Sequence, residues 1–259
     1  MEPDFEQWRS TGLDVQTRGR VAILRIDRQN RMNAIDGPIS RSIREAVQWI
    51  DATREIGAGV ITGAGDRAFS AGADLKAGGS QVDEIGGWGG FVRLARKKPI
   101  IAAVNGVAAG GGLEIALACD FIYASDQARF GFPEVTIGVA AGAGGIIRFP
   151  RVVGLNAAKE YLLTGEIFDA ATAKEIGLVN KVVPHAELLD RVVEVAERIA
   201  KNSPRSLELT RWVADESWGA DDAESWRISD EMSDQVLGSP DAAEGTQAFL
   251  EKRAPVWTS

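Results

Sequence analysis

The sequence has one cysteine and one histidine, and this scarcity excludes several kinds of site. With Cys119 alone, no disulfide can form within the chain, and a reducing compartment is expected. A histidine-rich zinc site is impossible, and we expect no metal site. A Ser-His-Asp triad would have to use His185, which the pattern places on the surface or at the start of a helix. Ser70 lies in AFSAG, which lacks the first glycine of the nucleophile-elbow pattern.

The chain also lacks an excess of positive charge and a long apolar run. Lysine and arginine number 29 against 37 acidic residues, so the net charge is −8. Nucleic acid binding needs a basic face, so nucleic acid is not an expected partner, although a few local cations can still hold a small anion. No apolar run reaches the roughly 18 residues of a membrane helix. The N-terminal MEPDFEQWRS has no apolar signal region. We therefore expect a cytoplasmic protein without a membrane partner.

The 259 residues alternate between strand and helix patterns over the first three-quarters and are helical in the last quarter. Strand patterns cover VAILRID within 14–27 and residues 57–62, 100–104, 121–124 and 128–130, and LVNKVVP. Helical patterns cover 39–56, 91–97, 113–119, 142–149, 154–163 and 170–176, then 186–202, a helix from Pro204, 222–237, and a last helix capped by Ser239 that runs to Arg253. Three tryptophans of the last quarter are expected to pack on the core or on another subunit: Trp212, Trp218 and Trp226.

A glycine-rich segment from Ile100 to Arg151 carries two carboxylates in apolar surroundings. A short apolar strand leads to Gly110–Gly112, and the following helix carries Glu114. Because helix N-termini present unpaired N–H groups and glycine admits a ligand close to the backbone, this turn could hold an oxyanion or a phosphate. A plain tight turn between strand and helix is the alternative. The spacing does not match the dinucleotide fingerprint, and no Gly-Lys pair exists for a P-loop.

The second carboxylate, Glu134, follows in FPEV. Each carboxylate alone has an ordinary explanation, since Glu114 would stabilise a helix N-terminus and Pro-Glu is common in turns. A buried charge is costly, however, so two of them beside glycine-rich turns suggest a site. As a pair they could share a water and move protons in acid–base chemistry, because one apolar pocket would push their pKa values apart.

Seven motifs together resemble the crotonase family, the enoyl-CoA hydratase/isomerase superfamily. They are NAI, ITGAGDRAFSAGADLK, KPIIAAVNGVAAGGGLEIALACD, FGFPEV, LTG, GLVNKVVP and EGTQAFLEKRAPVW. The resemblance implies an α/β crotonase (ClpP-like) fold, a spiral of repeated β-β-α units. Residues 1–200 would form the core with the active site, and residues 201–259 a helical region for oligomerisation and CoA contact.

The same resemblance implies an enoyl-CoA hydratase, which adds water reversibly to a 2-trans-enoyl-CoA thioester. The thioester oxygen would lie between the N–H groups of Ala73 and Gly111, an oxyanion hole. Glu114 would activate the water and Glu134 would deliver a proton to Cα. The acyl-CoA is then the substrate, no cofactor is bound permanently, and the chain would form a homotrimer or a dimer of trimers. The resemblance places CoA or substrate contacts at Ala34, Ala71, Asp74, Leu75, Lys76, Phe249 and Lys252.

Three departures from the family pattern argue against a straight-chain fatty-acyl substrate. Ala141, Ile146 and Ile147 replace the proline and Thr-Gln of typical fatty-acyl hydratases, and Leu113 stands where cysteine is frequent. The segment 86–90, GGWGG, replaces an ordinary helical segment that lies over the acyl pocket in the family. These changes leave a double-bond isomerase or a dehydratase similar to the carnitinyl-CoA enzymes as alternatives.

Two other classes of protein fit the sequence less well. A dinucleotide-dependent oxidoreductase is disfavoured by the glycine spacing. A non-catalytic member that binds CoA or RNA is disfavoured by the two retained glutamates, and RNA also by the net charge.

Overall fold

The computed structural model describes residues 3–77 and 82–259. Its helices are α1 (Phe5–Thr11), α2 (Gly37–Ala52), α3 (Gly111–Ala118), α4 (Gly145–Val153), α5 (Leu155–Thr164), α6 (Ala170–Glu175), α7 (Leu188–Ala200), α8 (Pro204–Glu216), α9 (Asp222–Leu237) and α10 (Pro240–Glu251). Its strands are β1 (Leu13–Arg18), β2 (Val21–Ile26), β3 (Ala58–Gly63), β4 (Ala68–Ser70), β5 (Val82–Asp83), β6 (Gly87–Trp88), β7 (Ile100–Val104), β8 (Val107–Ala109), β9 (Phe121–Ser125), β10 (Arg129–Gly131), β11 (Phe168–Asp169) and β12 (Lys181–Val183).

A six-stranded sheet in the order β1-β2-β3-β7-β9-β12 forms the centre of the fold. In this sheet each neighbouring pair among β2, β3, β7, β9 and β12 is parallel, and β1 pairs with β2 antiparallel. Every residue of β3 and β7 is buried, as expected for parallel strands covered on both faces. Helix α7 packs against one face, and α2 and α3 belong to the larger apolar core on the other face.

A second sheet, in the order β11-β10-β8-β4, positions the glycine-rich turn. Strand β8 pairs in parallel with both β4 and β10, so it is the inner strand between them. The chain leaves β8 at Ala109 and enters α3 at Gly111, with a single residue, Gly110, as the connection. The start of α3 is thus held between the segment after β4 and the segment after β10.

The last quarter of the chain is helical, as the sequence pattern predicts. Ser203 and Ser239 each accept a hydrogen bond from the backbone N–H three residues on, and a proline follows each of them at the first helical position. Helix α7 ends at Ala200, and the division of the chain into a core and a C-terminal region at this point stays a prediction. Within the described residues, no helix is long and apolar enough to cross a membrane.

One predicted helix, Phe91–Lys97, is wrong. The chain forms turns there, since the N–H of Arg93 donates to the carbonyl of Gly86, seven residues earlier. The N–H groups of Lys97 and Lys98 donate instead to the carboxylate of Asp51 in α2, at 2.9 and 3.0 Å. Short helices are marginal without many internal bonds, so these outside acceptors decide the conformation.

Candidate active site

A cavity of about 450 Å³ lies at the N-terminus of α3 and is mostly apolar. Three charged residues line it: Arg93, Glu114 and Glu134. The other lining residues are small or apolar and come from four segments: Ala71, Ala73, Leu75, Val82, Gly87, Trp88, Val92, Gly110, Gly111, Pro133, Ile137, Val139, Ala140, Gly142 and Ala143. The sequence-predicted pair of glutamates and the predicted pair of N–H donors therefore face one cavity.

Two backbone N–H groups are available at this cavity. Gly111 is the first residue of α3, so its N–H has no acceptor within the helix. Ala73 forms an isolated bridge with Ile35, but that bridge uses the N–H groups of Ile35 and Asp74 rather than that of Ala73. The two segments touch, because a Cβ atom placed on Gly72 would lie 3.0 Å from the nitrogen of Gly111. This arrangement suits an oxyanion hole.

Glu114 lies in the first turn of α3 and is 3% exposed. Burial raises the pKa of its carboxyl group, and the nearby charge of Glu134 raises it further. The N–H of Gly145, at the start of α4, donates to Oε1 of Glu114 at 2.8 Å and opposes that rise, as does the N–H of Ala143. The carboxylate is thus held in place by the second glycine-rich turn.

Glu134 belongs to a 3-10 turn, Pro133–Ile137, that follows β10. Burial raises the pKa of this carboxyl group as well. A Cβ atom on Gly110 would lie 2.9 Å from Oε1 of Glu134, so only glycine fits beside the carboxylate, and the φ of Gly110 is +55°. The other oxygen, Oε2, is buried and has no hydrogen-bond partner among the described residues. Such an atom in an enclosed site is suited to bind a ligand group or a water.

Trp88 lines the cavity and belongs to the segment GGWGG, which the family pattern places over the acyl pocket. It ends β6, which pairs antiparallel with β5 in a small hairpin. Ring atoms Cη2 and Cζ2 would lie 2.1 and 2.3 Å from a Cβ atom placed on Gly111. A Cβ atom at position 111 would therefore collide with the indole in its present position. The motif GGWGG was a visible signal, because four glycines around one large aromatic residue indicate close backbone packing.

Comparisons with known proteins agree with this geometry. The sequence model of the enoyl-CoA hydratase/isomerase family matches residues 16–259. The chain belongs to that family. A crotonyl-CoA hydratase of Syntrophomonas wolfei is 39% identical over 90% of this chain and 93% of its own. A carnitinyl-CoA dehydratase of Proteus mirabilis is 37% identical over 96% of this chain and 98% of its own.

Among solved structures, an enoyl-CoA hydratase from Mycobacterium tuberculosis superposes with a TM-score of 0.91 at 37% identity, covering 96% of this chain and 99% of that one. These matches confirm the predicted family and its crotonase fold. They also confirm the prediction that the chain is an enzyme of the enoyl-CoA hydratase class.

Only some of the residues that the family resemblance assigns to CoA lie at the cavity. Ala71 and Leu75 line its mouth, and Leu75 is largely exposed. The carboxylate of Asp74 is buried in ion pairs with Arg28 at 2.9 Å and Arg31 at 3.0 Å, which lower its pKa against the effect of burial. Its side chain therefore holds the loop of Ala73, and its backbone N–H and carbonyl bond to Ile35 and Ala77.

Four other predicted CoA contacts lie outside the lining. Ala34 is buried, and its carbonyl accepts a hydrogen bond from Arg28. Lys76 is exposed beside the mouth of the cavity. Phe249, near the end of α10, is 83% exposed, and Lys252 caps that helix with a φ of +54°. Within one chain these two residues do not reach the site, so their assignment stays a prediction.

The residues that depart from the family pattern differ in burial. Ala141 is buried, whereas Ile146 and Ile147 are half-exposed on α4 and do not line the cavity. Leu113 is buried in the core. His185 starts a 3-10 turn, where its Nδ1 lies 3.1 Å from Oγ of the buried Ser125. It does not line the cavity. The described residues contain no group of metal-binding side chains.

Proposed function

We propose that the protein adds water reversibly to a 2-enoyl-CoA thioester at the cavity between Glu114 and Glu134. The observation that carries the proposal is two buried carboxyl groups with raised pKa values, which line the same apolar cavity as two backbone N–H groups that have no acceptor among the described residues. Titratable groups with such shifts in a cleft are typical of acid–base catalysis.

The reaction requires one proton to leave the water and one proton to reach the substrate. The N–H groups of Ala73 and Gly111 hold the thioester oxygen and stabilise the enolate-like charge on it. Glu114 removes a proton from the water while the water oxygen bonds to Cβ. Glu134 gives its proton to Cα, so the net change is the addition of one water. The two carboxyl groups exchange protonation states, and proton transfer between them restores the enzyme.

The surroundings of the two carboxyl groups support this division of roles. Glu114 accepts the N–H of Gly145, a contact that favours the ionised form and hence a base. Burial raises the pKa of Glu134 against the opposing effect of its own backbone N–H and favours the neutral form, which is the form of an acid, and no donor among the described residues reaches its Oε2. One ionised and one neutral carboxyl group is also the state that like-charge repulsion favours.

Three further expectations belong to this proposal. CoA enters as part of the substrate, and we propose no permanently bound cofactor. We propose a homotrimer or a dimer of trimers, supported by the exposed Trp218 and Trp226 of the helical region. Light scattering after size-exclusion chromatography measures the subunit number. We also propose a cytoplasmic location, which fractionation of the source cells tests.

The test of the proposed function is a substrate panel with product identification. Wild-type protein should convert crotonyl-CoA to a 3-hydroxyacyl-CoA, seen by mass spectrometry as the addition of one water. If it only moves the double bond of a 3-enoyl-CoA, the protein is an isomerase and the proposal is wrong. Turnover of carnitinyl-CoA alone would favour the specialised dehydratase, which the relative from Proteus mirabilis makes the second candidate.

A further inference from the structure

The indole of Trp88 lies directly over the start of α3. Three ring atoms, Cη2, Cζ2 and Cζ3, would lie 2.1, 2.3 and 2.6 Å from a Cβ atom placed on Gly111. These distances put the benzene edge of the indole against the Cα of the residue that we propose as an oxyanion donor. Because the ring also lines the cavity, it forms a wall beside the position of the thioester.

The hairpin that carries Trp88 is tightly held. Asp83 accepts the N–H groups of Ile85 and Gly86, at 3.0 and 2.8 Å, and pairs with Arg44 of α2 at 3.0 Å. On the other side of the tryptophan, Gly90 has a φ of +66°, and a Cβ atom there would lie 1.8 Å from the carbonyl oxygen of Ser40. Since both ends of the turn are packed against α2, the indole cannot withdraw by a simple shift of its loop.

The position of the ring bounds the space for the acyl group. This step rests on the proposed function, which fixes the thioester oxygen at Gly111 and the reacting carbons beside Glu114, three residues further along α3. The first acyl carbons then lie between the carboxyl groups and the wall that contains Trp88 and the buried Val92. The whole cavity is about 450 Å³, near the lower end of the roughly 300–1,000 Å³ of ligand pockets, and it must also hold the thioester.

We propose that Trp88 is a specificity-determining residue that restricts the site to short acyl chains. The indole fills the volume that a longer chain would need, and its edge is held by the hairpin. Replacing it with alanine removes the ring and opens the wall toward Val92. A pocket distinguishes chains by excluding the extra methylene groups, so the variant should admit longer chains rather than bind the short chain better.

Binding of saturated acyl-CoA probes tests this proposal without relying on turnover. Isothermal titration calorimetry would give the Kd of butanoyl-CoA and decanoyl-CoA for wild type, Trp88→Ala, Trp88→Phe and Trp49→Ala. Trp49 is a matched control, because it is a partly buried indole on α2 that packs against Phe5 and Trp8 and does not line the cavity. Thermal melting of each variant shows that it is folded.

Wild type and Trp49→Ala should bind butanoyl-CoA at least tenfold more tightly than decanoyl-CoA. Trp88→Ala should lose that preference, and Trp88→Phe should fall between them. The proposal is overturned if wild type binds the two probes equally, or if Trp88→Ala keeps the wild-type ratio. If Trp88→Ala is unfolded, the ratio for the folded Trp88→Phe decides, and an unchanged ratio there also overturns it.

The same data separate this proposal from the proposed function. If Trp88→Ala loses the chain-length preference and wild type does not hydrate crotonyl-CoA, the role of Trp88 is supported and the proposed reaction is wrong. Hydration of crotonyl-CoA with an unchanged chain preference would leave the reaction correct and the role of Trp88 wrong.

Discussion

Two cavities of this protein differ in size, and the smaller one is the candidate active site. The larger, about 910 Å³, lies between the segment 92–96, the end of α3, α4, α8 and α9. Its charged side chains form ion pairs: Arg96 pairs with Asp120 at 3.2 Å, and Arg205 pairs with Glu208 at 2.9 Å, although Nε of Arg96 has no hydrogen-bond partner among the described residues. The candidate active-site cavity, at about 450 Å³, holds two carboxyl groups whose pKa values burial raises.

The difference teaches that carboxyl groups with no ion pair among the described residues, and not volume, mark the candidate active site. In the larger cavity, Arg211 of α8 lies 3.8 Å from the carboxylate of Asp120 and so links the C-terminal helices to the core. In the smaller cavity, apolar walls and glycine-rich turns leave carboxyl and N–H groups available to a ligand. Buried groups of this kind lower the stability of the folded protein. They are typical of sites that carry out chemistry.

The largest expected effect is on turnover, from Glu114→Gln and Glu134→Gln. Each change replaces a carboxyl group with an amide of nearly the same shape that cannot transfer the proton. General acid–base groups contribute about 10²–10⁴-fold to the rate. We expect kcat for crotonyl-CoA hydration to fall at least 100-fold in each variant. Glu160→Gln, an exposed glutamate on α5, is the control and should keep wild-type turnover. Near-normal kcat in either active-site variant would contradict the assignment of that carboxyl group.

A smaller loss of activity is expected for Gly111→Ala. The added Cβ atom would lie 2.1 Å from Trp88, so either the indole or the helix start must move. We expect kcat/KM for crotonyl-CoA to fall about 10–100-fold, because oxyanion donors are effective only at close geometry. In the double variant Gly111→Ala with Trp88→Ala the loss should be smaller than in the single variant. Equal losses would show that the contact between the two residues does not matter.

The sequence predicts the chemical groups of the site better than their environment. Glu114 follows Gly110–Gly112 on one short helix, so local pattern alone joins the carboxylate to the helix N-terminus. Glu134 approaches Gly110 only through the pairing of β8 with β10, a tertiary contact that no local pattern contains.

The failed helix at Phe91–Lys97 has a similar cause. Its backbone donors bond to Gly86 and to the carboxylate of Asp51, which lies 46 residues before Lys97 in the chain. The hairpin that carries Trp88 is equally invisible to helix and strand periodicity, because it is short and rich in glycine. Local pattern therefore predicts the regular elements and the catalytic groups, and packing decides the wall of the cavity.

Asp120→Asn tests the structural side of the comparison. Asp120 accepts the N–H of Ile100 at 2.6 Å and pairs with Arg96 and Arg211, and its side chain is 15% exposed. Loss of its charge leaves two buried guanidinium groups less compensated, at a cost of about 2 kcal/mol. The melting temperature should fall about 4–8 °C. Turnover of crotonyl-CoA at 25 °C should stay within about twofold of wild type, and a loss as large as that of Glu114→Gln would remove the distinction between the cavities.

The smallest expected effect is a gain of stability in Glu134→Gln. Burial raises the pKa of Glu134 above its ordinary value of 4.5, so the folded state holds the proton more tightly than the unfolded state. Wild type therefore loses stability as the pH rises from 4.5 through the raised value, and the glutamine variant does not. Its melting temperature should exceed that of wild type by about 2 °C at pH 8 and match it below pH 4.5. A difference that grows toward low pH would have the wrong sign.

A crystal structure with bound butanoyl-CoA tests the central claim most directly, because this saturated thioester cannot react. The account predicts the thioester oxygen within about 2.7–3.1 Å of the backbone nitrogens of Ala73 and Gly111. It also predicts one water within about 2.6–3.2 Å of both Glu114 and Glu134, on the side of Cβ. A thioester bound in the larger cavity, or a water held by neither carboxyl group, would contradict it.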